Sequence, residues 1–212
     1  MKLTDKEILY LDNHLLIIDK PPLLLTQPTD SVLDSVQERG KEYLKEKFHK
    51  KGDVFLHPVH RLDRVASGIV VCARTSKALS RLNEQIKQGK WKKNYILRHG
   101  GVLLANQGEL IHYLVKGEFR TAVFDEEVPG SKRGALSYKE GENGKTEVVL
   151  FTGRYHQIRA QFSHIGAPIC GDTKYGAKEK GISIGIDLHH TKVEFFHPTT
   201  KELISIFSLP KF

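Results

Sequence analysis

Short apolar runs alternate with polar, glycine- and proline-containing segments along the 212 residues of the chain. No run is longer than about nine residues, which is typical of strands rather than of long helices. Pro21 and Pro22 follow the second run and end it, because proline donates no hydrogen bond to a sheet. The pattern predicts strands at residues 8–12, 15–19, 69–73, 146–151, 188–195 and 203–209.

Apolar residues three or four positions apart predict helices in three places. The first is residues 31–49, where Ser31 and Asp34 form a start that resembles a capping box. A second helix follows Ser76, a candidate cap, and a third contains Ile158 and Phe162. Residues 100–144 alternate short apolar pieces with glycine and charge, and they indicate only strands and loops. This mixture of elements is consistent with an α+β protein.

Composition narrows the class of protein. The chain is 39% hydrophobic, and no apolar run is long enough to span a membrane. Its start lacks the apolar segment of a signal peptide, so we expect a soluble, cytoplasmic protein. Cys72 and Cys170 are too far apart in sequence to form a zinc-ligand pattern, and we expect reduced thiols. The net charge of +8 and the pI of about 9.4 favour a polyanionic partner.

The densest candidate chemistry is the stretch HRLDRVASG at residues 60–68. It precedes an apolar run and follows another at 54–56, which places it in a loop between two predicted strands. Asp63 lies between Arg61 and Arg64, and nearby positive charge favours the ionised carboxylate. Such an anion can act as a nucleophile, although an ion-paired turn would also use these residue types. The closing serine and Gly68 allow the backbone to turn into the next strand.

A second cationic stretch, residues 87–98, contains no acidic residue. Aromatic residues interleave with its lysines, a pattern that suits a nucleic-acid strand, with charge for phosphates and rings for bases. The alternative is a strand edge that the lysines protect from pairing. Because the charge is locally unbalanced, we favour RNA contact by Lys90, Lys92 and Lys93, with Trp91 and Tyr95 among them.

Two motifs resemble those of the RluA-type pseudouridine synthases. HRLDRVASG is similar to the catalytic loop of that family, H-R-L-D-R-x-T-S-G. Residues 152–176, TGRYHQIRAQFSHIGAPICGDTKYG, are similar to its G-R-x-H-Q-I-R and G-x-P-I-x-G-D-x-x-Y-G patterns. The resemblance runs from Ile8 to the C-terminus. It implies an α+β pseudouridine synthase fold, with a mixed, mostly antiparallel sheet, helices outside and a central active-site cleft. It also implies one catalytic domain over residues 1–212, with no separate N-terminal RNA-binding domain.

The resemblance further implies the isomerisation of uridines in ribosomal or transfer RNA to pseudouridine. That reaction consumes no electrons, phosphate or water, so no cofactor is expected. Asp63 would be catalytic, while Arg61 would fill the space of the extruded base or hold phosphates. Tyr95 would stack on the uracil. Arg159 lies beside a core position and needs a partner, for which a structural carboxylate or, given the resemblance, Asp63 is the candidate. RNA would be the partner of a monomer.

Other interpretations remain open at this level. A metal-dependent hydrolase could use His57 and His60 with Asp63, or the pair His189-His190, but no third ligand is evident and we expect no metal site. A non-catalytic RNA-binding module would have the same charge and aromatic residues, but little use for a carboxylate among phosphates. Two further residues raise questions. Lys20 faces either a phosphate or solvent, and Ala66 replaces the usual threonine, which bears on the stiffness of the loop.

Overall fold

The computed structural model describes residues 2–212, and this range contains three α-helices and eleven strands. The helices are short, and none of those within residues 2–212 is long and apolar enough to cross a membrane. The helices are α1 (Val36–Lys47), α2 (Ser76–Lys87) and α3 (Gln157–His164). The strands are β1 (Ile8–Leu11), β2 (Leu15–Lys20), β3 (His57–Pro58), β4 (Ser67–Ala73), β5 (Lys92–Leu97), β6 (Gln107–Lys116), β7 (Thr121–Phe124), β8 (Lys132–Glu140), β9 (Thr146–Leu150), β10 (Leu188–Phe196) and β11 (Leu203–Phe207).

The chain divides into two compact units, and β10 begins in the second and continues into the first. The first unit comprises the residues up to Trp91 together with Thr191–Leu209. Its strand order is β1-β2-β4-β10, with β3 also pairing with β4 and β11 with β10. Apolar side chains of β2 and β4 pack with α2 and β10 in its core. The core residues are Leu15, Ile17, Ile69, Val71, Ala73, Ala78, Leu82, Trp91, Val193 and Phe195.

The second unit comprises Lys92–His190 and Pro210–Phe212, and its strands follow the order β5-β9-β8-β6-β7. All four of these neighbouring pairs are antiparallel, as are β1 with β2 and β2 with β4 in the first unit. Helix α3 packs on β6 and β7. The predicted α+β class, with a mixed and mostly antiparallel sheet, is confirmed.

The strands predicted at residues 8–12, 15–19, 69–73, 146–151, 188–195 and 203–209 are confirmed to within about two residues, whereas two predicted helix starts are wrong. Helix α1 begins after Ser35, whose hydroxyl accepts the N–H of Glu38 at 3.2 Å, and not after Ser31. Ser35 itself is extended and forms a bridge with Leu25, so the helix starts four residues later than predicted. Helix α2 is capped by Thr75, not Ser76, because the Thr75 hydroxyl accepts the N–H of Ala78.

Candidate active site

Asp63 lies in the loop that leads from β3 into β4 in the first unit. It is half-buried, while Arg61 and Arg64 beside it are exposed. The strand predicted at residues 54–56 is wrong, because pairing with β4 is confined to the two residues of β3. The loop closes with a bond from the N–H of Ala66 to the carbonyl of Asp63 at 3.1 Å. Gly68 then adopts a φ of +110°, a conformation that favours glycine.

The residues on either side of Asp63 are fixed by two side chains from the segment around the end of β2. The Thr26 hydroxyl accepts the N–H of Leu62 at 3.1 Å and donates to the Leu62 carbonyl at 2.9 Å. After Asp63, the Nζ of Lys20 donates to the carbonyl of Arg64 at 3.2 Å. The backbone is therefore anchored one residue before and one residue after the carboxylate. These bonds give the loop a stiffness that does not depend on a hydroxyl at residue 66.

Lys20 is a buried lysine, only 1% exposed. Its Nζ also donates to the carbonyls of Pro21 and Leu24, each at 2.9 Å, so three donors meet three acceptors. Burial lowers the pKa of Lys20 to about 7, against the opposing effect of the charges of Asp63 and Asp19. Both interpretations of Lys20 from the sequence are wrong, because its ammonium group faces neither solvent nor an external phosphate.

The histidines before the loop use their ring nitrogens within the first unit. His60 Nε2 accepts the N–H of Val71 at 3.2 Å, which occupies its lone pair. His57 Nδ1 lies 2.9 Å from the carbonyl of Pro58 and must donate to it, so its Nε2 is the acceptor facing Gln27 at 3.4 Å. Metal coordination would have to break these bonds. This arrangement disfavours the interpretation of His57, His60 and Asp63 as the metal site of a hydrolase.

The aromatic residues of the cationic stretch are buried. Trp91 is 6% exposed and stacks on Phe195 with ring centroids 4.6 Å apart, so it belongs to the core of the first unit. Its expected contact with a nucleic-acid base is therefore wrong. Tyr95, on β5 of the second unit, is also 6% exposed, and His190 stacks on one face of its ring at 4.5 Å. A contact between Tyr95 and a substrate base would have to use a part of the ring that His190 does not cover.

The three lysines expected to contact RNA have different surroundings. Lys90 follows α2 in the first unit and is exposed, and Lys92 is exposed at the start of β5 in the second unit. Lys93 is half-buried, and burial lowers its pKa. Strand side chains alternate between two faces, so the adjacent lysines Lys92 and Lys93 point to opposite sides of β5.

Arg159 is the third residue of α3 in the second unit and has a carboxylate partner in the same unit. Its Nε donates to Asp172 Oδ2 at 2.7 Å and its Nη2 to Oδ1 at 2.9 Å. Both residues are buried, at 4% and 2% exposure. Asp172 is thus the structural carboxylate that the sequence offered as the alternative to the preferred partner Asp63, and the pairing with Asp63 stays a prediction; the sequence analysis did not single out Asp172. The sequence did contain a feature that could have identified Asp172, because it is the aspartate of the G-D-x-x-Y-G pattern.

The N-terminal end of α3 is fixed by the polar residues of the G-R-x-H-Q pattern. Gln157 Oε1 accepts from the Thr152 hydroxyl at 2.8 Å and from the N–H of Arg154 at 3.1 Å. His156 adopts a left-handed φ of +53°, and its Nδ1 lies 3.0 Å from the Tyr175 hydroxyl. The Tyr175 ring in turn lies 5.0 Å below the guanidinium of Arg159. One set of contacts in the second motif therefore holds the start of α3, and a second set places Tyr175 against Arg159.

Comparison with known proteins gives matches over most of the chain. The family model for RNA pseudouridylate synthases matches residues 14–164. The dual-specificity RNA pseudouridine synthase RluA of Pasteurella multocida is 30% identical, over 97% of this chain and 94% of its own. The uncharacterized RNA pseudouridine synthase YhcT of Bacillus subtilis is 32% identical, over 93% of this chain and 66% of its own.

The fold has solved counterparts as well. Human RNA pseudouridylate synthase domain containing 4 superposes with a TM-score of 0.79 over 98% of this chain and 90% of its own, at 19% identity. Human RNA pseudouridylate synthase domain containing 1 gives 0.77 over 100% and 87%, also at 19% identity. These likenesses concern the fold, whereas the family model and the relatives match the amino-acid sequence itself. On this evidence, the chain belongs to the RNA pseudouridylate synthase family and is of its RluA type.

Proposed function

We propose that this protein isomerises specific uridines of structured RNA to pseudouridine, with Asp63 as the catalytic residue. The observation that carries the proposal is the anchoring of the Asp63 loop by Thr26 at Leu62 and by Lys20 at Arg64. An anchored carboxylate loop is what positioning a nucleophile against a reacting sugar or base requires. An ion-paired turn would not need its backbone anchored on both sides of the carboxylate, whereas a catalytic carboxylate would. The anchoring therefore favours the catalytic interpretation of Asp63 over the ion-paired turn.

The supporting roles follow from side-chain chemistry. Arg61 is exposed next to Asp63 and is the cation proposed to take the place of the extruded base or to hold neighbouring phosphates. Tyr95 is proposed to contact the uracil with the part of its ring that His190 does not cover. Arg159 is proposed to pair with Asp63 in addition to Asp172. The fork of an arginine has five N–H donors, and Asp172 accepts from Nε and Nη2.

The proposed substrate is ribosomal or transfer RNA. Relatives in this family include the ribosomal large subunit pseudouridine synthase C of Buchnera aphidicola, 30% identical over 94% of this chain and 65% of its own, and the dual-specificity enzymes named RluA. Phosphate contacts are assigned to Lys90, Lys92 and Lys93. The reaction uses no cofactor, and turnover should survive exhaustive chelation. A monomer located in the cytoplasm remains the expectation from the sequence.

The test is pseudouridine formation by the purified protein on total ribosomal and transfer RNA, with the modified positions mapped at single-nucleotide resolution. Asp63→Asn keeps the shape of the side chain and removes its charge. We expect it to abolish product formation while RNA affinity stays within about twofold, because phosphate contacts carry most of the binding. Asp30→Asn, at an exposed position of the same unit, is the matched control and should be fully active.

Substantial turnover by Asp63→Asn would overturn the catalytic assignment. Binding of RNA by the unmodified protein without any product would instead favour the interpretation as an RNA-binding module.

A further inference from the structure

Two histidines and an aspartate lie close together in the second unit. Only one of them, His164, belongs to either of the two motifs that resemble the family. His112 lies on β6, Asp125 directly follows β7, and His164 is the last residue of α3. His164 Nε2 is 2.9 Å and His112 Nε2 is 3.7 Å from Asp125 Oδ1. The two imidazole rings meet edge to face, with centroids 5.0 Å apart. Three separate elements therefore contribute to one small polar cluster.

The spacing of these atoms suits a metal ion. Zinc binds imidazole nitrogen and carboxylate oxygen at about 2.0–2.2 Å in tetrahedral geometry, which separates two ligand atoms by about 3.3–3.5 Å. The observed separations of 2.9 and 3.7 Å lie on either side of that value, and all three atoms lie within 4.8 Å of one another. Small side-chain rotations would equalise them. Imidazole with carboxylate is also a donor set that zinc and its divalent neighbours accept.

Gln161, behind His112, supplies an independent observation. Gln161 is fully buried, and its Oε1 has no hydrogen-bond partner among the residues that the structure describes. Its Nε2 lies 3.0 Å from His112 Nδ1. A metal on His112 Nε2 would require a proton on Nδ1 and an acceptor facing it, since ligating histidines commonly donate their other N–H. Turning the Gln161 amide over would place Oε1 in that position and give it a partner.

The turn of the amide has a cost that limits the affinity. In the present orientation Gln161 Nε2 donates to the carbonyls of Leu110 at 3.2 Å and Gly134 at 3.4 Å. Both are long bonds, and both would be lost. The contact of Nε2 with His112 Nδ1 would be replaced by a bond from Nδ1–H to Oε1, and Oε1 would then face the two carbonyl oxygens. Metal binding must therefore compensate for the loss of all three Nε2 contacts in exchange for one new bond.

We propose that His112, Asp125 and His164 bind a divalent transition-metal ion of the zinc class, through Nε2 of each histidine and the carboxylate. The remaining coordination position faces solvent, because the side chain of Asp125 is 78% exposed. The ion would tie β6 and the segment after β7 to the C-terminal end of α3. Its role is structural and independent of the proposed function. The proposal revises the expectation from the sequence that the chain binds no metal.

The test uses the full-length chain without a histidine tag, stripped of metal with a chelator. Zn²⁺ is titrated by calorimetry, and Co²⁺ is added as a spectroscopic probe of coordination. We expect one ion per chain, visible absorption of the Co²⁺ form and a higher Tm with Zn²⁺. Asp125→Asn and His164→Gln should each weaken Zn²⁺ binding by about tenfold or more and abolish the rise in Tm.

The side chains of Asp125 and His164 are partly exposed, so both variants are expected to fold. His49→Asn is the matched control, an exposed histidine of the first unit at a φ of +50° that asparagine tolerates, and it should bind Zn²⁺ like the unmodified chain. The proposal is overturned if Zn²⁺ does not bind, or if Asp125→Asn and His164→Gln bind it as tightly as the control does.

Discussion

The Nζ of Lys20 donates to the carbonyl of Arg64 at 3.2 Å, and Arg64 directly follows Asp63. This bond joins the end of β2 to the loop that carries the proposed catalytic carboxylate. Lys20 is buried, yet it keeps three carbonyl acceptors, and the charge of Asp63 raises its pKa against the larger effect of burial. Lys20, whose pKa is about 7, is therefore linked to Asp63 in two ways: it binds the backbone of the next residue, and the Asp63 charge raises its pKa.

The first prediction concerns stability and pH. The pKa of Lys20 is about 7 in the folded chain, lowered from 10.5. Between these values the unfolded chain holds a proton that the folded chain lacks, so this group adds stability as pH rises through that window. The slope reaches about 1.4 kcal/mol per pH unit. Below pH 7 both states are protonated and the cost of the buried charge is fully present.

Urea unfolding of the unmodified chain and of Lys20→Met from pH 6.5 to 9.5 measures this effect. The difference in free energy of unfolding between the two proteins should shift in favour of the unmodified chain as pH rises. Lys6→Met, at an exposed lysine, should give a difference independent of pH. A constant difference for Lys20→Met would show that Lys20 has an ordinary pKa in the folded chain.

The second prediction tests the coupling between Lys20 and Asp63. The charges of Asp63 and Asp19 both raise the pKa of Lys20, with Asp63 the larger contributor. Asp63→Asn should therefore lower the Lys20 pKa further, and Asp19→Asn should lower it by less. The lysine ¹³Cε resonance followed by NMR across pH reports the value directly. An equal or larger effect of Asp19→Asn would contradict the assignment of Asp63 as the main charge facing Lys20.

The third prediction concerns the buried pair of Arg159 and Asp172. Asp172→Asn removes the charge that compensates Arg159 at a site where both side chains are at most 5% exposed. Breaking a buried ion pair typically costs about 3–5 kcal/mol of stability. Asp34→Asn removes the partner of Arg39 in a pair whose carboxylate is 57% exposed, and it should cost less than about 1 kcal/mol.

Chemical unfolding of both variants measures these costs, and equal losses would mean that Asp172 contributes no more than a surface carboxylate. Arg159→Leu should cripple turnover if Arg159 also orients Asp63. A stable Arg159→Leu protein with normal turnover would restrict Arg159 to a structural role.

The fourth prediction concerns the contact with RNA. Each lysine on a phosphate of single-stranded RNA contributes about 0.7 to the slope of log affinity against log salt. Replacing Lys92 and Lys93 by alanine should weaken binding of target and non-target RNA alike and flatten that slope, while turnover at saturating RNA stays near normal. The pair Lys50 and Lys51, exposed in the first unit, supplies the control double variant.

Salt titrations of binding, paired with single-turnover rates, separate the two outcomes. Because Lys92 is exposed and Lys93 is half-buried, the single Lys92→Ala variant should account for most of the change in slope. Identical slopes for all proteins would show that Lys92 and Lys93 make no phosphate contact, and since β5 has a neighbouring strand on each side, protection of a strand edge would not explain these lysines either.

The sequence by itself determined most of the elements and the family. Short apolar runs placed these strands because strands such as β2 and β4 are buried along almost their whole length, and the apolar residues that this requires are a local property of the sequence. The motifs around Asp63 and Arg159 identified the candidate residues, because both motifs resemble those of the family. Helix starts were less accurate, because the bridge between Leu25 and Ser35 competes with the capping signal at Ser31.

Only the tertiary structure decided what each polar side chain contacts. Nothing in the local sequence distinguishes a buried Lys20 with three carbonyl acceptors from a solvated lysine, because its acceptors come from a turn and a distant loop. The partner of Arg159 in its own unit, Asp172, required the path of the chain after α3. The sequence likewise placed Trp91 on a cationic surface, whereas in the structure it packs on Phe195 in the core. Burial and pairing depend on residues far apart in sequence, so they follow from the fold and not from the motif.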